Sequence, residues 1–266
     1  MESPQPTRSP VPAFSSGALI GTLGGLIGLG GAEFRLPVLI GWFRFDALDA
    51  VILNKTMSLL VVAAALLFRT KSIPLSAVGD HWPVILNLLS GSLVGAWMAA
   101  GWATRVRGSL LYRVMAVLLG LIALALVFGH QPVAENSALM DGSVRVVVGA
   151  VAGLGIGIVA SLMGVAGGEL LIPTLVLLYG LDLKTAGSVA LAVSLPTVLM
   201  GFARYSRDRS FTVIRRNRGF VIVMAAGSLL GAFIGGLLLG VVSADILLPT
   251  LAVILVISAA KIWRQS

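Results

Sequence analysis

Residues 28–37 read GLGGAEFRLP and residues 164–173 read GVAGGELLIP. Each stretch sits inside a long apolar run. Each clusters glycines, then places a glutamate, Glu33 or Glu169, and then a proline four residues on, Pro37 or Pro173. Inside a helix, glycine costs about 1 kcal/mol and proline about 3 kcal/mol relative to alanine. A proline in the first turns of a new helix loses little, because its missing N–H would have no partner there. The pattern predicts a helix arriving, an unwound glycine turn, and a second short helix starting near residues 32–34 and again near 168–170.

The surroundings decide what kind of protein breaks its helices this way. Of 266 residues, 58% are hydrophobic and 11% are charged, and the mean hydropathy is +1.01. A soluble domain carries about a quarter of its residues as charged side chains, so the solvent here is a bilayer. Apolar segments cover about 13–43, 46–68, 82–103, 109–129, 143–179, 182–203, 219–240 and 244–263, each long enough for the roughly 20 residues a span needs. The first and fifth are longer than one span and contain the two glycine clusters. The leading MESPQPTRSPVPAFSS is a proline- and serine-rich tail without a signal-peptide pattern, so the first apolar segment is expected to stay in the mature protein.

An offset of 136 residues aligns the halves without a gap. It pairs Gly28 with Gly164, Gly31 with Gly167, Glu33 with Glu169, Pro37 with Pro173, Asp46 with Asp182 and Ser58 with Ser194. It also pairs Gly91-Ser92-Leu93 with Gly227-Ser228-Leu229. Apolar chance produces leucine matches, but not glutamate, proline, aspartate and serine in one register. The expected organisation is an all-α membrane protein of two tandem homologous repeats, each with about four hydrophobic helical segments, the first of each broken or re-entrant at its glycine motif. Residues 1–129 form the first repeat with its tail, 130–142 a polar linker and 143–266 the second repeat. Broken apolar segments at matching positions of two halves point to a transporter binding site.

A helix starting inside the membrane presents N–H groups that need partners. A bound anion would satisfy them, aided by the partial positive charge of the helix start. For Glu33 and Glu169 three roles compete: a first-turn cap, a proton carrier, or a cation ligand for coupling. An ionised carboxylate beside an anion repels it, whereas a protonated one donates a hydrogen bond. Arg35 and Lys55 have Leu171 and Leu191 as their mates. Arg35 suits an oxyanion, because a guanidinium pairs with two oxygens at once. A salt bridge to either glutamate, or snorkelling to the headgroups, is its structural alternative, and the same holds for Lys55. Asn54, Thr56, Ser58 and Ser194 supply small donors on the following helix, with helix–helix hydrogen bonding as the alternative. Gly91, Gly95, Gly227 and Gly231 are assigned to close helix packing.

The absences bound the function. No cysteine is present, and both histidines, His81 and His130, fall in predicted loops, so no cofactor or metal is expected and an embedded enzyme lacks a nucleophile with its base. No nucleotide loop is present. The net charge of +8 sits in short loops, where it reads as topology control and not as nucleic-acid binding. The expected partners are a small anionic substrate and membrane lipid, with a homo-oligomer left open. The expected location is a bacterial inner membrane with the basic loop 204–218 cytoplasmic. If the broken segments cross the membrane the repeats are parallel; if they are re-entrant the repeats are inverted. The charge rule nearly ties, and the inverted form is preferred because it aims two helix starts at one point from opposite sides.

At these residues the chain resembles the sulfite exporter TauE/SafE family of membrane permeases. The doubled motif GLGGAEFRLP and GVAGGELLIP carries the resemblance, with NKTMSLLVV and VALAVSLPT after it and GSLVGA and GSLLGA further on. The resemblance covers about residues 14–262. It implies transport of small sulfur-containing or organic anions such as sulfite, sulfonates or thiosulfate. It also implies that Gly28, Gly30, Gly31, Gly164, Gly167 and Gly168 form the substrate loops, with Ser58 and Ser194 beside them. The commoner family pattern has an apolar residue where Glu33 and Glu169 stand. The expected function is a secondary permease or exporter of such oxyanions, proton-coupled through the glutamates. The alternatives are a cation-coupled carrier using those glutamates, or a non-transporting scaffold subunit.

Overall fold

The structure is a computed structural model and describes residues 9–27, 31–69, 75–128, 142–206, 210–238 and 244–264. These residues form helices without strands. In the first half they are α1 (Pro10–Ile27), α2 (Ala32–Gly41), α3 (Ala47–Arg69), α4 (Leu75–Gly79), α5 (Trp82–Ala103) and α6 (Gly108–Phe128). In the second half they are α7 (Gly142–Met163), α8 (Gly168–Tyr179), α9 (Leu183–Ser206), α10 (Ser210–Arg216), α11 (Arg218–Leu237) and α12 (Ala244–Trp263). Ala32 and Gly168, Ala47 and Leu183, Trp82 and Arg218, and Gly108 and Ala244 open corresponding helices, each pair 136 residues apart.

Among the described residues, five stretches are long and apolar enough to cross a bilayer: Ala47–Leu66, Trp82–Ala103, Gly142–Met163, Thr185–Tyr205 and Arg218–Gly235. Their outer faces stay apolar, with Val94, Met98, Val151, Ile222 and Phe233 each half or more exposed. That is the surface of an integral membrane protein, where lipid takes the place of water.

The halves are held together by glycine seams. Gly17, Gly21 and Gly25 of α1 lie against the backbones of Met224, Ser228 and Ala232 of α11, in ascending order, so these two helices run parallel. Gly91 and Gly95 of α5 meet Ala150 and Leu154 of α7 in the same sense. Each helix of a seam comes from a different half. A side chain at any of these glycines would strike a main-chain carbonyl of its neighbour. In lipid, where apolar surface gains nothing by association, such close backbone approach is a main source of helix pairing.

The seams also fix the direction of the shorter helices. Gly31 lies against Ile20 and Gly24 of α1, and beyond α2 the Phe43 ring meets the edge of Phe220 at 4.8 Å, level with the start of α1. The chain therefore folds back, and α1 with α2 makes a hairpin. In the same way Gly167 packs on Ile156 and Ala160 of α7, and the hydroxyl of Tyr179, at the end of α8, returns to Gly149. The open end of the first hairpin lies beside the start of α11 and that of the second beside the start of α5. Since Gly101, near the end of α5, touches Arg204 near the end of α9, and α9 leads through α10 to the start of α11, the two hairpins open at opposite ends of the molecule.

One expectation needs correction. The basic stretch 204–218 is not a loop throughout: α9 continues through Ser206, and Ser210–Arg216 is a short helix. Tyr205, inside that stretch, is fully buried. Of the predicted linker, residues 130–141 lie outside the described residues. His81 stands at the N-cap of α5, and His130 lies outside the described residues.

Candidate functional site

α2 begins at Ala32 behind Gly31, whose φ of 70° is left-handed. α8 begins at Gly168 behind Gly167, with φ of 81°. That conformation strains any residue with a Cβ, which accounts for glycine at both positions. Gly164, at 68°, makes the preceding turn. Gly31 and Gly167, standing at the N-caps, supply no side-chain cap. Gly28 and Gly30, and the side chain of Glu169, lie outside the described residues.

Asn54 of α3 joins the two breaks. Its Nδ2 donates to the Ala32 carbonyl at 2.9 Å and to the Met163 carbonyl at 3.0 Å. The first residue of α2 and the last of α7 are thus held by one amide. Arg35 reaches the same amide, with Nη1 donating to Asn54 Oδ1 at 3.4 Å. Arg35 is fully buried, so it does not snorkel to the headgroups. Its Nε and Nη2 are buried without a hydrogen-bond partner. Glu33, also buried, acts on it electrostatically.

One residue further along α3, Lys55 points into the tip of the second hairpin. Its ammonium donates to Ser161 Oγ at 3.5 Å and stands 5.9 Å from the centre of the Tyr205 ring. Ser161 in turn donates to the Ala96 carbonyl at 2.9 Å, and the Tyr205 hydroxyl donates to the Ser161 carbonyl at 3.1 Å. Ser58, one helical turn on from Asn54 and Lys55, donates to the Gly164 carbonyl at 3.0 Å. The polar face of α3 thereby holds Met163, Gly164 and Ser161 together.

The predicted residues separate accordingly. Arg35, Asn54, Lys55, Ser58 and Gly164 come together around the second tip, with Glu33 beside Arg35 and with Gly31 and Gly167 opening α2 and α8. Gly168 is the first residue of α8. Thr56 is half-buried and donates to the Ile52 carbonyl of its own helix at 2.8 Å, so it serves α3 and not the cluster. Ser194 is buried on α9. Ser161, Tyr205 and Gly201 were not singled out in the sequence. Ser161 is one hydroxyl in an apolar helix, and its mate, Gly25, carries no side chain to repeat the signal. Tyr205 was hidden in the basic run.

The described residues contain no group of three or more histidine, cysteine, aspartate or glutamate side chains that could hold a metal ion. The cluster instead gathers two buried cations and two helix starts around an amide and hydroxyls whose hydrogens bond main-chain carbonyls. Chemically it suits an anion.

Comparison with known protein families identifies the chain's relatives. The family described as Sulfite exporter TauE/SafE matches residues 13–262. No curated protein and no solved structure matches the chain.

Proposed function

This chain belongs to the sulfite exporter TauE/SafE family, a family of membrane transporters, and on that premise we propose that it is a secondary permease for a small oxyanion such as sulfite, a sulfonate or thiosulfate. The observation that carries this reading is the fully buried pair Arg35 and Lys55 on either side of Asn54, at the point where the two helix breaks meet. A buried cation costs several kcal/mol unless an opposite charge or donor network compensates it, and a passing anion is such a charge. A site built for a cation would present oxygen ligands instead.

The halves are read as inverted repeats, with both hairpins re-entrant and their tips meeting inside the membrane. The 136-residue spacing of the helix starts, the reciprocal glycine seams and the opposite open ends support that reading. The end where α5 stops and α11 starts carries Arg105, Arg107, Arg204, Arg215, Arg216 and Arg218, which makes it the cytoplasmic end. Glu33 and Glu169 are assigned to proton coupling, with Glu169, whose helix has Leu171 in place of Arg35, as the carrier.

Proteoliposomes containing the purified chain test the proposal. Saturable uptake of labelled sulfite above empty liposomes is expected, accelerated when the sulfite side is acidic, and Glu169→Gln flattens that pH dependence. A scaffold subunit gives no uptake at any pH.

A further inference from the structure

Charge inside this molecule is unevenly partnered. Arg35 has Glu33 two residues away, acting on it electrostatically, and gives one nitrogen to Asn54. Lys55 has no comparable support. Among the described residues no carboxylate acts on it, and its one hydrogen bond is the 3.5 Å contact with Ser161 Oγ. The hydrogens of its polar neighbours are committed elsewhere, that of Ser161 to the Ala96 carbonyl and that of Tyr205 to the Ser161 carbonyl. Beside the Tyr205 ring, two small residues, Ser161 and Gly201, lie against the ammonium. Gly201 of α9 lies so close that a methyl group there would stand 2.5 Å from Nζ and 2.9 Å from Ser161 Oγ. The position corresponding to Lys55 in the other half is Leu191, so the repeated frame accepts an apolar side chain at this place.

A structural lysine in a bilayer would be expected to carry a carboxylate partner or to reach the headgroups. Among the described residues Lys55 has no such carboxylate, and its full burial keeps it from the headgroups. We propose that Lys55 is the principal counter-charge of the transported anion. A compact oxyanion docks against its ammonium at the tip of the second hairpin, while Arg35, its charge offset by Glu33, contributes hydrogen bonds and sets the position of Asn54. This assignment rests on the anion-permease reading and ranks the two cations within it.

The test uses the full-length protein in detergent, comparing wild type, Lys55→Met and Arg35→Gln by ligand-free melting temperature and by affinity for sulfite, methanesulfonate and acetate. Replacing an uncompensated buried charge with an apolar side chain of similar length is neutral or stabilising. Lys55→Met is therefore expected to melt at or above the wild-type temperature. It is also expected to lose at least about 30-fold in anion affinity, within the range for a lost charged hydrogen bond, and Arg35→Gln is expected to lose less. A Lys55→Met protein that melts lower or fails to fold shows the amine to be structural and overturns the proposal. So does one that binds anions within about twofold of wild type, and so does a larger loss from Arg35→Gln. A wild type that binds none of the three anions overturns the permease reading itself, and the inference with it.

Discussion

α3 and α9 occupy corresponding places in the 136-residue register, yet their polar positions differ in chemistry. On α3 the sequence places Asn54, Lys55 and Ser58; on α9 the mates are Ala190, Leu191 and Ser194. Ser161 of the second tip corresponds to Gly25 of the first, and Arg35 of α2 to Leu171 of α8. The backbone plan is shared by the halves, while the charges belong to one of them. A feature that served the fold alone would be needed twice. The seam glycines Gly17, Gly21, Gly91 and Gly95 indeed have glycine mates at 153, 157, 227 and 231, and the buried cations have leucines. Under the proposed function, the shared features are the architecture and the unshared ones the substrate chemistry added to it.

The largest expected effect tests the shared part. Gly91→Ala drives a methyl into the Ala150 carbonyl and Gly227→Ala into the Phe14 carbonyl. Each is expected to cost about 3 kcal/mol, as overpacking a tight contact does, and the two should cost alike. Gly155, with nothing within 4 Å of an added methyl, should tolerate alanine or gain up to about 1 kcal/mol from helix propensity. Thermal unfolding of the three variants in detergent checks the order. Unequal seam costs would break the equivalence of the halves.

A smaller effect tests the unshared part. Ser92 and Ser228 are mates, both buried. Ser92 Oγ pairs with Thr197 Oγ1 at 2.8 Å; the residue corresponding to Thr197 is Val61, and Ser228 Oγ has no hydrogen-bond partner. Ser92→Ala is expected to destabilise by about 1 kcal/mol, whereas Ser228→Ala, which removes an unsatisfied hydroxyl, should be neutral or stabilising. Chemical or thermal denaturation of the pair reads the sign directly.

What the sequence could show follows from the range of the forces involved. The starts of α2 and α8 were legible because glycine and proline act on the backbone locally, and Gly31 and Gly167 take the left-handed conformation that only the local chain demands. Gly91, Gly95, Gly227 and Gly231 were recognisable as packing residues, but Gly17, Gly21 and Gly25 and the partners of all of them were not: α1 against α11 and α5 against α7 are contacts between halves, invisible to periodicity. Arg35, Asn54 and Lys55 stood out because ionisable and amide groups are rare in apolar runs. Their division of labour did not, since it depends on whether Glu33, Asn54 or Ser161 lies within reach. Thr56 looked equivalent to Ser58, and only the helix phase shows that one hydroxyl turns back to Ile52 while the other crosses to Gly164.

The central claim is that one half of a repeated frame carries the anion. Selenite, a heavier analogue of sulfite, offers the most direct test, because its selenium can be located by anomalous scattering in crystals of the protein. The account predicts a single peak at the tip of the second hairpin, within hydrogen-bonding distance of the Lys55 ammonium and near Ser161 and Asn54. A peak at the tip of the first hairpin instead, or equal peaks at both tips, would contradict it.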